Sequence, residues 1–245
     1  MNIVVIGIGR LGTNLAQALR DAGHDVTIVR GRAVTVDSGG EPPLPQTADA
    51  FIIAVKDDVL EDVIVRATKG RKDQLFLHTA GSMPMSVFEG HCRRYGVFYP
   101  MQTFSKEAIV PFTDIPIFLE ADSAETLDVL NELARTLSSH IYHLSTDDRR
   151  YLHLAAVFAC NFANHCYALS AEILQQHGLP FNVMLPLIDE TARKVHHLSP
   201  LEAQTGPAIR YDLNVINKQQ QLLDDPAMKE LYERLSKSIY QHAKS

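Results

Sequence analysis

The sequence predicts an α/β fold, in which a Rossmann domain with a parallel β-sheet precedes an all-helical domain. Three observations lead to this prediction. Short β-branched runs alternate with amphipathic helical segments as far as residue 145. A glycine-rich turn joins the first run to the first helical segment. Beyond residue 145 no strand pattern returns, and residues 147–177 contain neither glycine nor proline. The predicted domains are therefore residues 1–145 and 146–245.

The first βαβ unit lies near the N-terminus. Residues 2–6 and 25–29 are β-branched runs typical of buried strands, and residues 10–22 place apolar side chains at helical spacing. Residues 36–47 contain Ser-Gly-Gly and Pro-Pro-Leu-Pro. Because these residues disfavour a regular helix, we expect a loop where a doubly wound fold usually has another crossover helix.

Strand and helix patterns then alternate up to the domain boundary. The predicted strands are residues 50–55, 75–78, 96–99, 115–120 and 141–144, and the predicted helices are residues 59–67, 84–95 and 124–137. In the C-terminal domain, helices are predicted over residues 147–177, 182–197, 210–223 and 227–243.

Composition and charge restrict the class of protein. With 46% hydrophobic and 21% charged residues, the chain has the composition of an ordinary globular protein. Its net charge of −6 argues against a nucleic-acid-binding surface, which would need a basic excess. No apolar stretch reaches the roughly 20 residues that span a bilayer, and no signal-peptide pattern precedes the first strand. We therefore expect a cytoplasmic protein with neither a nucleic-acid nor a membrane partner.

Cysteine and histidine spacings indicate no metal site. The cysteines are Cys92, Cys160 and Cys166, which form no CxxC pair, and the 11 histidines show no metal-ligand spacing. We therefore expect reduced thiols and no bound metal.

The turn after the first strand carries a Gly-x-Gly-x-x-Gly motif. Between a strand and a helix, the first glycine permits a tight turn, the second lets backbone approach a pyrophosphate, and the third lets the helix pack on the strand. Backbone N–H groups and the helix dipole then stabilise the phosphates. The alternative is a glycine-rich turn without a ligand. The residues predicted to bind a dinucleotide here are Gly7, Ile8, Gly9, Arg10, Leu11 and Gly12.

The end of the second strand indicates which dinucleotide binds. NAD enzymes usually have an acidic residue there that accepts hydrogen bonds from the ribose hydroxyls. In this sequence Arg30 and Arg32 follow the strand, and the first acidic residue is Asp37. Guanidinium groups suit the 2′-phosphate of NADP(H), which they bind with charge-assisted, forked hydrogen bonds. We therefore predict NADP(H) rather than NAD(H), with simply solvated arginines as the alternative.

Other candidates follow later strands, at the sheet edge where ligands of open α/β sheets bind. Val55, His78 and Thr79 are predicted to contact the cofactor. Ser82, in the turn after the fourth strand, and Gln102, after the fifth, are candidates for substrate contacts. The alternative for the residues around His78 is a structural cap between a strand and a helix.

Several segments resemble an uncharacterised Rossmann-like family whose C-terminal domain is similar to those of 6-phosphogluconate dehydrogenase and pyrroline-5-carboxylate reductase. These segments are the glycine loop and residues 54–58, 78–82, 99–104, 151–162 and 205–212. The resemblance covers nearly the whole chain. It implies an NADP-binding Rossmann domain, a helical domain that forms a homodimer, and an active site in the cleft between the two domains. The chain has Tyr99 where the family tends to have histidine, and Lys56 where it tends to have proline.

The resemblance also suggests catalytic residues. In the related hydroxyacid dehydrogenases, a lysine on the long helix protonates the substrate oxygen, and an asparagine follows one turn later. Asn161 matches the asparagine, but Val157 stands where the lysine would be. His153 lies two turns before Asn161 on a similar helix face, and an imidazole can transfer a proton near neutral pH. We hypothesise that His153 exchanges the proton and that Asn161 orients the substrate; the alternative is a structural histidine in an interface.

Together these features predict an NADP-dependent oxidoreductase that acts on a small, carboxylated metabolite. Arg210 is a candidate to hold the substrate carboxylate, with a structural pairing to Asp212 as the alternative. Two other functions fit the same motifs. One is a non-catalytic dimer that senses or carries NADP(H), and the other is hydride exchange with a second cofactor, as in deazaflavin-dependent NADP oxidoreductases, whose N-terminal domain is similar.

Overall fold

The computed structural model describes residues 1–31, 44–105 and 108–244. The chain divides into two compact units, Met1–His165 and Cys166–Ser245. The first unit is the α/β part with the start of the following helix, and the second is helical. The predicted boundary between residues 145 and 146 marks the change from strands to helices, and as a domain boundary it stays a prediction. The predicted loop at residues 36–47 lies largely outside the described residues.

A seven-stranded sheet organises the first unit, in the order β2-β1-β3-β4-β5-β6-β7. The strands are β1 Asn2–Ile6, β2 Asp25–Val29, β3 Ala50–Ile53, β4 Leu75–His78, β5 Arg94–Pro100, β6 Ile117–Ala121 and β7 Ile141–His143. All neighbouring pairs are parallel except β5 and β6, which are antiparallel. The Rossmann prediction is confirmed, with a mostly parallel rather than an entirely parallel sheet. The strand order reverses at β1, which lies between β2 and β3, and crevices at such points bind ligands in open α/β sheets.

Helices cover both faces of this sheet. They are α1 Arg10–Asp21, α2 Asp57–Thr68, α3 Ala124–Arg135 and α4 Thr146–Ala156. Alternate residues of β1 belong to opposite cores: Ile3 and Val5 pack in the cluster that includes Leu15 of α1, whereas Val4 packs in the cluster that includes Leu60 of α2. This alternation explains why β1 is apolar along its whole length.

The prediction of a helix over residues 84–95 is wrong. A single 3₁₀ turn, Met85–Phe88, occupies its start, and β5 begins at Arg94. Gly90 has φ +78°, which turns the chain after Phe88, and both Phe88 and Cys92 are buried in the core. The apolar residues that suggested a helix face therefore anchor a short connection.

The long helix predicted over residues 147–177 is confirmed with one interruption. It consists of α4, a π-helical turn at Val157–Phe162, and α5 Ala163–Gln176. Ser145 starts it, because its Oγ accepts a hydrogen bond from the backbone N–H of Asp148 at 3.1 Å.

The second unit continues with short helices. After a 3₁₀ turn at Phe181–Met184 come α6 Leu185–Lys194, α7 Pro207–Arg210, α8 Leu213–Gln221 and α9 Pro226–His242. The single helix predicted over residues 210–223 is broken at Tyr211, which has φ 51° and whose ring stacks on Tyr240 of α9 with centroids 4.7 Å apart. In the described part of the chain, no helix is long and apolar enough to cross a membrane. Cys92, Cys160 and Cys166 are free thiols.

Candidate functional site

The three glycines of the loop after β1 have different roles. Gly7 has φ +129°, and a Cβ there would lie 2.2 Å from the carbonyl oxygen of Ala54. A Cβ on Gly12 would lie 2.3 Å from the carbonyl oxygen of Gly7. Gly9 is exposed, has φ −68°, and a Cβ there would meet no atom of the described residues within 4 Å. Packing therefore requires glycine at positions 7 and 12, whereas at position 9 the fold would accept a side chain and the space above the backbone is open.

That open backbone leads into an uncapped helix. Gly9 is the N-cap of α1, no side chain in the described ranges caps it, and the first turn contains no acidic residue. The first N–H groups of a helix have no partner within the helix, so they can bind an anion. Ile8 is 48% exposed at the tip of the loop, Arg10 is exposed, and Leu11 packs against the core.

The ends of β2 and β3 meet beside this loop. Val55 packs against the core, and its Cγ1 would be 3.4 Å from a Cβ on Gly7 and 2.9 Å from one on Gly31. Arg30 follows β2 directly after Val29, whose carbonyl accepts a hydrogen bond from the Gly7 N–H of the glycine loop at 2.8 Å. Arg32 falls outside the described residues.

The β4 loop, residues 79–83, is fixed by buried side chains at its start. The His78 ring is completely buried and stacks on Phe88 with centroids 5.6 Å apart. Its Nδ1 accepts a hydrogen bond from the Ala80 N–H at 3.2 Å, so the proton of the neutral ring is on Nε2. Thr79 is 5% exposed, and its hydroxyl donates to the Ile53 carbonyl at 3.4 Å. Both predicted cofactor residues thus anchor the loop through their side chains.

Burial also fixes the charge of His78. Burial, and after it the positive charge of Arg149, lower the pKa of the ring to about 3, against an opposing effect of the Pro84 carbonyl. Nε2 has no partner at normal hydrogen-bond geometry among the described residues. The ring is therefore neutral near pH 7.

Other predicted residues lie at the same edge of the sheet. The Ser82 hydroxyl donates to the carboxylate of Asp57, the first residue of α2, which joins the β3 and β4 loops. Gln102 is exposed, and its Oε1 accepts a hydrogen bond from the Thr103 N–H at 2.8 Å.

Arg149 of α4 holds the β4 loop in place, a role that the sequence did not reveal. Its side chain is 1% exposed, and Nη1 donates to the carbonyls of Ala80, Gly81 and Met83 at 2.9, 3.0 and 2.8 Å. Nη2 forms an ion pair with Glu120 of β6 at 3.0 Å. One buried guanidinium therefore fixes three carbonyls of the loop against α4.

His153 of α4 and Tyr99 of β5 meet over this loop. The Tyr99 hydroxyl lies 3.0 Å from His153 Nδ1, and the two rings are edge to face. A Cβ on Gly81 would lie 2.5 Å from Nδ1 and 2.9 Å from Tyr99 Cζ. Burial raises the pKa of Tyr99, while the positive Arg149 lowers it and the negative Asp57 raises it. The structure thus brings the predicted His153 to the end of the strands, next to Tyr99, which was not among the predicted site residues.

Asn161 lies in the π turn and is exposed. A π turn, with hydrogen bonds from i to i+5, accommodates one residue more than an α turn. Asn161 is eight residues after His153, whereas two turns of an α helix take about seven. The extra residue of the π turn makes up the difference, so Asn161 lies about two turns after His153 on the same face of the helix. Its role with substrate stays a prediction. Arg210 is the exposed last residue of α7 in the second unit, and its role is likewise untested.

Comparison with known proteins assigns the chain to a family. A family model described as a domain of unknown function, DUF2520, matches residues 115–239. A solved structure from Bacteroides fragilis, provisionally described as an NADP oxidoreductase, is 48% identical over 98% of both chains, with a TM-score of 0.89. The chain belongs to the DUF2520 family.

More distant solved structures share the fold of this DUF2520 protein. An imine reductase from Myxococcus stipitatus in complex with NADP⁺ is 15% identical, covers 100% of this chain and 93% of its own, and has a TM-score of 0.64. A pyrroline carboxylate reductase from Plasmodium falciparum with NADP bound is 12% identical over 100% and 97% of the two chains, with a TM-score of 0.61. No curated protein matched significantly. These results confirm the predicted fold class and the family resemblance.

Proposed function

We propose that this DUF2520 protein is an NADP(H)-dependent oxidoreductase that acts on a small molecule. The observation that carries the proposal is the open backbone at Gly9, between two glycines that packing requires. It lies at the point where the strand order reverses and leads into a helix without a side-chain cap. The description of the Bacteroides fragilis relative as an NADP oxidoreductase supports the same cofactor. The glycine loop would hold the pyrophosphate, and Arg30 and Arg32 the 2′-phosphate.

The proposed reaction is the reversible reduction of a C=O or C=N bond. When bound, NADP(H) would supply or accept hydride at the substrate carbon. In the reducing direction, His153 gives a proton to the oxygen or nitrogen that receives the π electrons, and Asn161 orients the substrate. We propose Arg210 as the group that binds a substrate carboxylate.

Titration with nucleotides tests the cofactor site. Calorimetry should show saturable NADPH binding, and nucleotide at about 100 times its Kd should stabilise the fold by about 2.7 kcal/mol. Gly9→Ala should weaken NADPH binding at least about tenfold, or about 1.4 kcal/mol, because a methyl group then occupies the phosphate position. Its thermal unfolding temperature should not change, because no atom of the described residues lies within 4 Å of the methyl group. Gln17→Ala, further along α1, is the control, and equal affinity in all three proteins would contradict the proposal.

Nucleotide preference is tested by removing both arginines. Arg30→Ala with Arg32→Ala should weaken NADPH binding and leave NADH affinity unchanged, because only NADPH carries the 2′-phosphate. A parallel loss for both nucleotides would contradict the proposed role of the arginines.

Turnover separates an enzyme from a sensor. Consumption of NADPH should be followed with a panel of keto acids, imines and a deazaflavin. His153→Ala should abolish turnover without changing NADPH affinity, and undiminished turnover would exclude the proposed proton donor. Saturable binding without turnover on any compound would favour the sensor or carrier.

We also propose that the protein is a homodimer that pairs through its C-terminal helices. In the second unit, α6 buries none of its residues. Several large apolar side chains of this unit are more than half exposed, namely Leu179, Val183, Leu187, Leu201 and Leu222. Large apolar side chains exposed in this number within one unit favour an interface there, and a second copy of the chain is its simplest occupant.

A further inference from the structure

We propose that Tyr99 is a positioning residue that holds His153 with its proton on Nε2 and replaces that proton through Nδ1 when the substrate is reduced. This inference rests on the proposed oxidoreductase function and adds a second member to its proton-transfer group. Its evidence is the geometry of three residues from three elements: Tyr99 of β5, Gly81 of the β4 loop and His153 of α4.

Nδ1 of His153 is enclosed. The Tyr99 hydroxyl is 3.0 Å away, and the Gly81 backbone passes so close that a Cβ would lie 2.5 Å from Nδ1. On the opposite side of the ring, Nε2 has no hydrogen-bond partner among the described residues and is not one of their buried unpartnered atoms. Nε2 is therefore the ring nitrogen that a substrate can reach.

The direction of the hydrogen bond follows from the phenol. Tyr99 is 8% exposed, and Nδ1 is the partner that the structure gives its hydroxyl. Because burial raises the pKa of Tyr99, the phenol keeps its proton near pH 7. The hydroxyl then donates and Nδ1 accepts, which puts the proton of the neutral imidazole on Nε2.

The proton transfer balances. Hydride adds to the substrate carbon, and the π electron pair moves to the oxygen or nitrogen, which takes the Nε2 proton. The Tyr99 proton moves to Nδ1, so the imidazole remains neutral. After the product leaves, Nε2 takes a proton from water and the Nδ1 proton returns to the phenolate, which restores the starting state. Burial raises the pKa of Tyr99, and the positive charge of the buried Arg149 guanidinium opposes that effect, which limits the free-energy cost of the transient phenolate.

Nuclear magnetic resonance tests the tautomer without cofactor or substrate. Nitrogen-15 spectra of the full chain should show His153 protonated at Nε2, with the signal assigned by its loss in His153→Gln. Tyr99→Phe keeps the buried ring but removes the donor, so it should shift the imidazole toward a mixture of tautomers. Tyr95→Phe, the same change on the same strand, should leave the tautomer unaltered.

A second variant disrupts the contact between Tyr99 and His153 without removing the Tyr99 hydroxyl. Gly81→Ala changes neither partner but places a methyl group between Nδ1 and the Tyr99 ring, so it should produce the same loss of the Nε2–H form. A His153 signal protonated at Nδ1 in the wild type, or one that is identical in Tyr99→Phe, would overturn the proposal. Because this readout needs no nucleotide, its failure is distinct from a failure of NADPH binding.

Kinetics tests the proton replacement. Tyr99→Phe should lower kcat about 10- to 100-fold while NADPH affinity and thermal unfolding temperature stay close to wild type. In the wild type, the solvent isotope effect on kcat should reflect the movement of two protons, from Nε2 and from the Tyr99 hydroxyl. In Tyr99→Phe it should reflect the Nε2 proton alone. An unchanged isotope effect would show that Tyr99 packs against His153 without supplying a proton.

Discussion

At the level of single residues, His78 links burial to the pH dependence of stability. In the folded chain the pKa of its ring is lowered to about 3, against an ordinary value of 6.5. The unfolded chain therefore binds a proton at pH values where the folded chain does not. The stability that the neutral ring contributes is complete above about pH 6.5 and declines as the pH falls from there toward 3.

His78→Asn tests this link, because the asparagine oxygen can accept the Ala80 N–H but cannot titrate. Between pH 7 and pH 5, the free energy of unfolding of the wild type should fall by about 2 kcal/mol more than that of the variant. Urea denaturation at the two pH values measures the difference. His177→Asn, an exposed site, should retain the wild-type pH dependence, and equal slopes for wild type and His78→Asn would contradict the argument.

The sequence identified site residues where the signal is local. The glycine spacing reports a turn of a few residues, so it predicts the loop directly. Tyr99 and His153 are 54 residues apart, and nothing local signals their contact. Arg149 and Arg150 are adjacent and chemically identical in the sequence, yet the first is 1% exposed and the second 50%. Which of the two arginines is buried depends on how α4 packs against the sheet, and the hydrophobic periodicity of the sequence alone did not determine that packing.

At the level of elements, Arg149 fixes the β4 loop to α4. Removing the guanidinium leaves the loop carbonyls without their donor, and leaves the Glu120 carboxylate without its counter-charge and with only its hydrogen bonds from Thr146. Arg149→Met should therefore lower the free energy of unfolding by about 3–5 kcal/mol in urea denaturation.

Arg150→Met is the matched control for this loss. Arg150 is half exposed, lies 3.8 Å from Asp147 and makes one exposed hydrogen bond to the loop, from Nε to the Ser82 carbonyl at 3.3 Å, so its replacement should change stability by about 1 kcal/mol or less. Similar losses in the two variants would show that the buried contacts of Arg149 contribute little.

The spacing of apolar residues in the sequence predicts most of the helices and strands, and the exceptions have physical causes. β1, β3 and β4 lie within a few residues of their predicted bounds, because a buried parallel strand is apolar on both faces. The segment after Pro84 has a helix-like start, but Gly90 turns the chain before a second turn forms. The π turn at Val157–Phe162 contains no glycine or proline, and its sequence is compatible with an ordinary α helix, so hydrophobic period did not predict it.

At the level of the whole molecule, the second unit buries few of its apolar side chains. Leu187 of α6 is 63% exposed and Leu222 78%. We expect light scattering after size exclusion to give the mass of a dimer, and Leu187→Glu to shift it toward the monomer by placing a charge in the interface. Asp189→Asn on the same helix should remain dimeric. A monomeric wild type would contradict the proposed assembly.

The position of Arg149 also limits how the chain can be shortened. A fragment that stops at residue 145 contains all seven strands but lacks the guanidinium that holds the β4 loop, so hydrogen exchange at residues 80–83 should be fast in it. A fragment extended to residue 165 includes α4 and should restore slow exchange there. The smallest autonomous nucleotide-binding piece of this protein is therefore expected to end beyond the last strand, within the long helix.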